Sequence, residues 1–190
     1  MKPNRARQVV WVGILLLFNA KWVTASAGRI NVLVCIENQW KSDSDFDRFY
    51  GMSIPGVTLE AGFEAKPWLI FGASTGYFSR TGKTSVLKEE TRFRQIPILF
   101  FVRSSYGQRL RAMAALTAGW LFFREQSYIG IVEDQPFGWG TEIGCEFDLN
   151  KNIFIAGALR FLHFQFRDPE SLEEQQLGGS ELRLGIGIHL

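Results

Sequence analysis

The last ten residues alternate strictly between branched aliphatic side chains and polar or small ones. Every even position from Leu182 to Leu190 is Leu or Ile, whereas the odd positions are charged, polar or glycine. Successive side chains of a β-strand point to opposite faces, so this segment predicts a strand with one wholly apolar face.

The same alternation recurs along the chain in segments that turn residues separate. Each is long enough for the about 9 to 11 tilted residues with which a strand crosses a bilayer. Eight segments are predicted, at 29–39, 55–65, 68–80, 91–103, 109–123, 136–148, 152–166 and 181–190. An even number of such segments predicts an all-β fold, an eight-stranded antiparallel up-and-down transmembrane β-barrel.

The connections between these segments alternate in length. Short turns are predicted at 65–67, 104–108 and 148–152, and long polar loops at 40–54, 81–90, 124–135 and 167–180. Short periplasmic turns and long external loops are typical of outer-membrane barrels, whereas a soluble sandwich has no reason to segregate its loop lengths.

The start of the chain has the features of a secretory leader. A basic stretch precedes the apolar run 9–18, and Ala25-Ser26-Ala27 forms a small-residue cleavage site. We therefore expect residues 1–27 to be a cleaved signal peptide and 28–190 to form the barrel domain.

The leader carries four of the chain's 21 Lys and Arg and none of its 19 acids, so its removal leaves 17 basic against 19 acidic residues. This slightly acidic balance argues against nucleic-acid binding.

Trp and Tyr are placed where interface girdles would need them. The proposed interface aromatics are Trp40, Trp68, Tyr77, Trp120 and Trp139, and the remaining tyrosines of the barrel domain are Tyr50, Tyr106 and Tyr128. Amphipathic rings at both headgroup levels are typical of an outer-membrane barrel from a Gram-negative cell.

The strand faces opposite the lipid collect charges of both signs. The predicted lumen charge network comprises Glu60, Glu64, Arg94, Arg103, Arg111, Glu142, Glu146, Arg160 and Arg183, with Glu37 beside them. An eight-stranded barrel has room only for its own side chains, which favours a plug of paired charges over an ion-selective pore. The seventh segment is ambiguous, because Arg160 and His163 cannot share a face unless a bulge lies near Leu162.

Candidate chemistry is sparse. Cys35 and Cys145 lie on non-neighbouring segments with opposite facing, so no disulfide is expected. A lipid-modifying barrel would need a His, a Ser and an acid at its outer rim, and His163 lies near Asp168 and Ser171 in sequence without a recognisable spacing. No metal-ligand or phosphate-loop spacing is present, so neither a metal nor another cofactor is expected. The acidic loop 167–180 could bind divalent cations, but a solvated loop is the simpler interpretation.

Pro97 has no backbone N–H to donate to a neighbouring strand, so it should mark a bulge or a local bend. Its setting, Ile96-Pro97-Ile98, resembles a motif of the small outer-membrane β-barrel domain family common in Bacteroidetes. Ala118-Gly119-Trp120, Ile143-Gly144-Cys145-Glu146 and the Leu184-Gly185-Ile186-Gly187 ending also fit that family. The resemblance covers the whole barrel domain and implies a fold and a location, but hardly an activity; the chain departs from the family in ending on Leu190 rather than Phe or Trp.

These patterns predict an integral protein of the cell outer membrane with a structural or surface-interaction role and no catalysis. Expected partners are outer-membrane lipid and lipopolysaccharide and the barrel-assembly machinery, with no nucleic acid, and the protein is expected to be a monomer. The alternatives are a lipid A deacylase-like enzyme, a narrow channel, and a soluble lipocalin-like barrel. The last would need polar outer faces, which the alternation argues against.

Overall fold

The alternating segments form a closed ring of antiparallel strands. The computed structural model describes residues 28–41, 50–51, 53–83, 90–127, 130–167 and 174–190. Its strands are β1 (Arg29–Lys41), β2 (Ile54–Lys66), β3 (Leu69–Lys83), β4 (Glu90–Gly107), β5 (Leu110–Gln126), β6 (Ile131–Asp134), β7 (Phe137–Asp148), β8 (Ile153–Arg167), β9 (Glu174–Gln176) and β10 (Gly179–His189). Within the described ranges, no helix is long and apolar enough to cross a membrane.

Eight long strands make the barrel, and each pairs with its neighbours in sequence. The ring closes because β10 pairs with both β1 and β8, placing Ile186 opposite Val34 on one side and Ile155 on the other. The predicted eight-stranded up-and-down barrel is therefore confirmed. The sequence did not predict β6 and β9, two short strands that pair with the last residues of β5 and β8.

The short connections all lie at one end of the barrel, hereafter the short-turn end. They fall at residues 67–68, 108–109 and 149–152, as predicted. Gly107 has a φ of 133° before the second turn, and a Cβ there would lie 2.1 Å from the Leu110 carbonyl oxygen. A residue with a side chain would therefore strain this turn.

The opposite, long-loop end carries the long connections. Parts of all four predicted loops, as well as the leader 1–27, lie outside the described residues. The signal peptide therefore stays a prediction.

The outer wall is apolar over most of its height. On β5 every second residue from Leu110 to Trp120 faces outward, and Leu116 is 66% exposed. These residues span a rise of about 33 Å, which a tilt of about 40° projects onto about 25 Å of membrane normal. The same alternation holds on the other strands, because Thr58, Pro97, Thr117 and Glu142 are all on the buried face.

The bulge expected near Leu162 is absent, and that prediction was wrong. Pairing of β8 with β7 continues without a register shift from Phe154 to Phe164. Leu162 and Phe164 are buried, so His163 and Gln165 point outward rather than into the lumen. The inward face of β8 changes from charged to apolar at this height, which removes the need for a bulge.

Pro97 interrupts one ladder without inserting a residue. The β3–β4 pairs stop at Thr75–Ile98 and resume at Phe78–Gln95 in the same register, whereas the β4–β5 ladder is continuous. The missing proline N–H therefore produces a local gap in pairing towards β3, in place of the bulge that was one expectation.

A charge on the outward face of β5 should cost most near the middle of the bilayer. We predict that Leu116→Arg destabilises the barrel by about 2 to 4 kcal/mol, because it places a guanidinium in hydrocarbon. Leu110→Arg, on the same face at the short-turn end, should cost about 0 to 1 kcal/mol. Reversible unfolding in lipid vesicles measures both, and equal penalties would contradict the assigned depth.

Candidate functional site

The middle of the barrel holds a balanced cluster of buried charges, hereafter the lumen network. Among the described residues, the buried charged side chains are five carboxylates and five cations: Glu37, Glu60, Glu142, Glu146, Glu181, Lys41, Arg103, Arg111, Arg160 and Arg183. Isolated charges in such a place would be strongly destabilising, so the fold depends on their mutual pairing.

Glu142 on β7 is the centre of this network. Its Oε1 accepts a hydrogen bond from Arg103 Nη2 at 2.9 Å, and its Oε2 accepts one from Arg160 Nε at 2.8 Å. Arg183 Nη1 also donates to Oε2. One carboxylate thus contacts three guanidiniums from β4, β8 and β10, and the side chain is only 1% exposed.

Glu60 on β2 shares the same arginines from the other side of the lumen. Its carboxylate lies 2.6 Å from Arg103 Nη1 and 3.1 Å from Arg183 Nη2. Arg183 additionally donates to Glu37 on β1. The Glu37 contact joins neighbouring strands, whereas the contacts of Glu60 with Arg103 and Arg183 join β2 to β4 and β10, which the backbone ladder does not pair with it.

The lumen network continues to the short-turn end of the barrel, where Arg111 and His189 contact its last members. Arg111 lies 3.3 Å from Glu146 and 3.1 Å from Asp148. His189 of the last strand contacts Asp148 at 3.2 Å and Asn31 of the first strand at 2.7 Å, and its ring stacks on Phe154 with centroids 4.5 Å apart. The first and last strands of the barrel are therefore joined by side-chain contacts as well as by backbone hydrogen bonds.

Towards the long-loop end, the amides of Gln39 and Gln95 connect the charged side chains by hydrogen bonds. Glu181 lies 3.7 Å from Arg160 and accepts a 2.7 Å hydrogen bond from Gln39 Nε2. Gln95 donates to Gln39 and accepts a 2.8 Å hydrogen bond from Lys41 Nζ. These contacts connect the centre of the lumen to the base of the apolar layer above it.

That layer, hereafter the apolar cap, fills the lumen at the long-loop end. Its members are all buried and pack together: Tyr50, Ile54, Phe78, Phe93, Leu99, Leu121, Phe123, Leu162, Phe164, Phe166 and Leu177. Stacked and edge-on ring pairs join Phe93 to Phe123 and Phe123 to Phe166, with centroids 6.3 and 5.2 Å apart. The lumen is thus occupied by two layers of different chemistry.

Tyr50 places a polar atom at the edge of the cap. Its hydroxyl donates to Glu125 Oε1 at 2.5 Å. Burial, and next the hydrogen bond to Glu125, raise the pKa of the Tyr50 phenol above its ordinary value. Tyr50, which is not one of the five proposed interface aromatics, is 4% exposed and belongs to the interior.

Seven of the nine residues assigned to the lumen by sequence meet in the network. Arg94 does not: it is exposed on the outer face, because it shares the parity of Ile96, and its assignment to the lumen was wrong. Glu64 faces inward at the short-turn end of β2 but is not among the network's ion pairs in the described part of the chain. Sequence reasoning missed Glu181, although its spacing of two from Arg183 gives both residues the same facing, and Lys41, which had been assigned to a loop.

The five proposed interface aromatics all lie on the outer surface. Their exposed fractions run from 37% to 57% for Trp40, Trp68, Tyr77, Trp120 and Trp139. Trp68 lies in a turn at the short-turn end, and the other four lie nearer the long-loop end. Rings of this kind at both ends of the apolar wall suit the two headgroup levels.

His163 is the candidate that a lipid-modifying enzyme would require. Its Nδ1 lies 3.3 Å from Gln176 Nε2, and its ring centroid lies 5.7 Å from that of Trp139. Both residues line an outer-wall notch of about 270 Å³ that also includes Thr141 and Ser180. Asp168 and Ser171, its sequence neighbours, lie outside the described residues.

Two other forms of chemistry concern the cysteines and metals. Cys35 is buried and Cys145 is exposed, and both are free thiols, as their facing predicted. In the described part of the chain, no group of three or more His, Cys, Asp or Glu side chains is arranged to hold a metal ion.

Removing the charge of Glu142, at the centre of the lumen network, should lower the free energy of unfolding. Glu142→Gln leaves three buried guanidiniums with less compensation, and we predict a loss of about 3 to 5 kcal/mol in unfolding free energy. Glu133→Gln is the matched control, because Glu133 pairs with Arg124 at 3.1 Å with both side chains about half exposed. That change should cost less than about 1 kcal/mol.

Urea unfolding of both variants in the same vesicles measures the difference. Similar small losses for the two variants would show that the buried network does not carry the stability assigned to it.

Comparisons with known proteins support the architecture. No protein family model matches the chain, and no curated protein matches its sequence. Among solved structures, Neisserial surface protein A superposes with a TM-score of 0.63 at 11% identity, covering 86% of this chain and 97% of that one. The outer membrane protein OprG from Pseudomonas aeruginosa gives 0.62 at 10% identity, covering 86% and 96%. Ail of Yersinia pestis, in complex with the heparin analogue sucrose octasulfate, gives 0.55 at 13% identity, covering 86% and 97%. The chain therefore has the fold of small bacterial outer-membrane β-barrels, and its apolar outer wall is in keeping with a place in the cell outer membrane.

Proposed function

We propose that this protein is a closed outer-membrane barrel with a structural or surface-interaction role and no catalytic activity. The main support for this proposal is that two layers of side chains fill the lumen, with the apolar cap above the lumen network. A channel needs a continuous path for water, whereas eight strands leave an interior only wide enough for side chains.

The balance of charge supports closure over ion selectivity. The guanidinium of Arg183 contacts Glu37, Glu60 and Glu142, so its donors are directed at protein carboxylates. A selective pore would instead present charges of one sign to a water-filled path. Above them, Phe164 and Phe78 are 0% exposed, which is typical of a packed core.

The surroundings of His163 favour a non-catalytic role. A base in a hydrolytic site is oriented by an acid and lies beside a nucleophile. The observed partner of His163 is the amide of Gln176, and its neighbouring ring is Trp139. Thr141 and Ser180 line the same notch, but among the described residues no acid is paired with the His163 ring to orient it as a base. This arrangement suits contact with lipid headgroups better than proton transfer.

The remaining parts of the proposal follow from the sequence. The leader 1–27 would export the chain in a Gram-negative cell, and the assembly machinery would insert it as a monomer. Outer-membrane lipid and lipopolysaccharide are the proposed partners of its wall. The Ile96-Pro97 motif supports membership of the Bacteroidetes-type family, which we keep as part of this proposal.

Conductance in planar bilayers tests closure. We predict that the purified barrel gives no stable ion-selective steps at neutral pH, because neither layer leaves a path for hydrated ions. An open porin reconstituted by the same procedure serves as the positive control. Large, stable steps from this barrel would overturn the proposal and favour the channel.

A further inference from the structure

The outer surface of β4 and β5 carries three arginines at the long-loop end, hereafter the arginine patch. Arg92, Arg94 and Arg124 are all exposed and share the outward face with Ile96 and Trp120. The pair Arg94–Arg124 lies one step beyond the pair Ile96–Phe122 in the β4–β5 register. The patch therefore begins where the apolar wall ends.

Like charges directly opposite each other on neighbouring strands are destabilising. Arg94 and Arg124 are such a cross-strand pair. Glu133 on β6 compensates Arg124 at 3.1 Å, but no ion pair to Arg92 or Arg94 is found among the described residues. The outer face thus holds two guanidiniums whose donors are available to an external anion.

The neighbours of these arginines are further donors. Ser79 and Thr81 of β3 lie opposite Arg94 and Arg92, and Gln126 of β5 lies opposite Arg92 from the other side. Arg92, Arg94, Arg124 and Gln126 together line a shallow notch in the wall. Guanidinium, hydroxyl and amide groups in one patch suit an anion with several acceptor oxygens, and Arg matches phosphate bidentately.

The acids near the patch leave it positive. Glu90 lies on the same outward face of β4, opposite Lys83 of β3, and Glu133 is paired with Arg124. Among the described residues of this outer face, three arginines and one lysine therefore lie beside two glutamates. The excess positive charge lies at the height of lipid headgroups, directly beyond the girdle residues Tyr77 and Trp120.

We propose that the arginine patch binds the phosphate group of a phosphorylated glycolipid in the outer leaflet. The proposal rests on the lipid partner proposed above and identifies the site and the group it recognises. Arg92 and Arg94 provide the charge-assisted donors, and Ser79, Thr81 and Gln126 complete the hydrogen bonds. The acyl chains of the same lipid would lie against the apolar wall below.

Lipid binding by the purified barrel tests this site. The probes are bisphosphorylated lipid A and the same lipid with both phosphates removed, presented in phosphatidylcholine nanodiscs and measured by native mass spectrometry. The wild-type barrel should bind the phosphorylated probe at least about tenfold more tightly, as the loss of charge-assisted hydrogen bonds implies. Arg92→Ser with Arg94→Ser should abolish most of this preference.

The matched control removes the same charge at the other end of the barrel. Arg109→Ser with Lys151→Ser changes two exposed cations at the short-turn end and should leave the preference intact. Heat-modifiable gel mobility establishes that both double variants are folded.

Three results would overturn the proposal: an unchanged preference in the patch variant, an equal loss in the control, or equally tight binding of inorganic phosphate. The conductance test does not depend on these arginines. A failed lipid test with a silent barrel would therefore reject the site alone, whereas conductance with intact lipid preference would reject the closed lumen alone.

Discussion

The structure depends on the contact between Glu142 and the three guanidiniums of Arg103, Arg160 and Arg183. All four side chains are almost fully buried, so none of them can recover the hydration it loses. Their stability comes from one another, and this ties β7 to β4 and β10, which the ladder does not pair with it, as well as to its neighbour β8. The ladder closes the ring between neighbouring strands, whereas these contacts fix its interior.

The two layers of the lumen impose different demands on the wall. Around the network, inward positions alternate with lipid-facing ones and the charged side chains reach across the centre. In the cap, large rings need space, which small inward residues of β7 provide: a Cβ on Gly138 would lie 2.3 Å from the Phe164 ring. Packing of the cap therefore explains the glycine at position 138 of β7.

Period-two alternation was enough to predict the eight strands, their order, the short turns and the facing of most residues. It failed where the strands continue beyond the membrane. There the environment inverts, because the interior is the apolar cap and the exterior is water and headgroups. Arg94 was wrongly assigned to the lumen, and the facing of His163 was ambiguous, for this reason. The rule that polar residues face the lumen holds at bilayer height and reverses above it.

The partners within the lumen could not be predicted in the same way. Alternation shows that Glu142 and Arg160 face inward, but not that one glutamate contacts three arginines, since this depends on rotamers and on strand tilt. Likewise Lys41 and Tyr50 lie at the ends of a long loop, and only the closed ring brings them over the lumen. Local pattern fixes the face of a residue, whereas its contacts across the barrel follow from closure.

A double-mutant cycle between Glu142 and Arg160 measures whether the two buried charges stabilise each other. Glu142→Gln, Arg160→Gln and the double variant would be unfolded in the same lipid vesicles, and the coupling free energy calculated from the four stabilities. We expect the double variant to be more stable than the sum of the single losses implies, by about 1 to 3 kcal/mol. Additive losses would show that the two charges do not stabilise each other, and that the fold does not depend on their pairing.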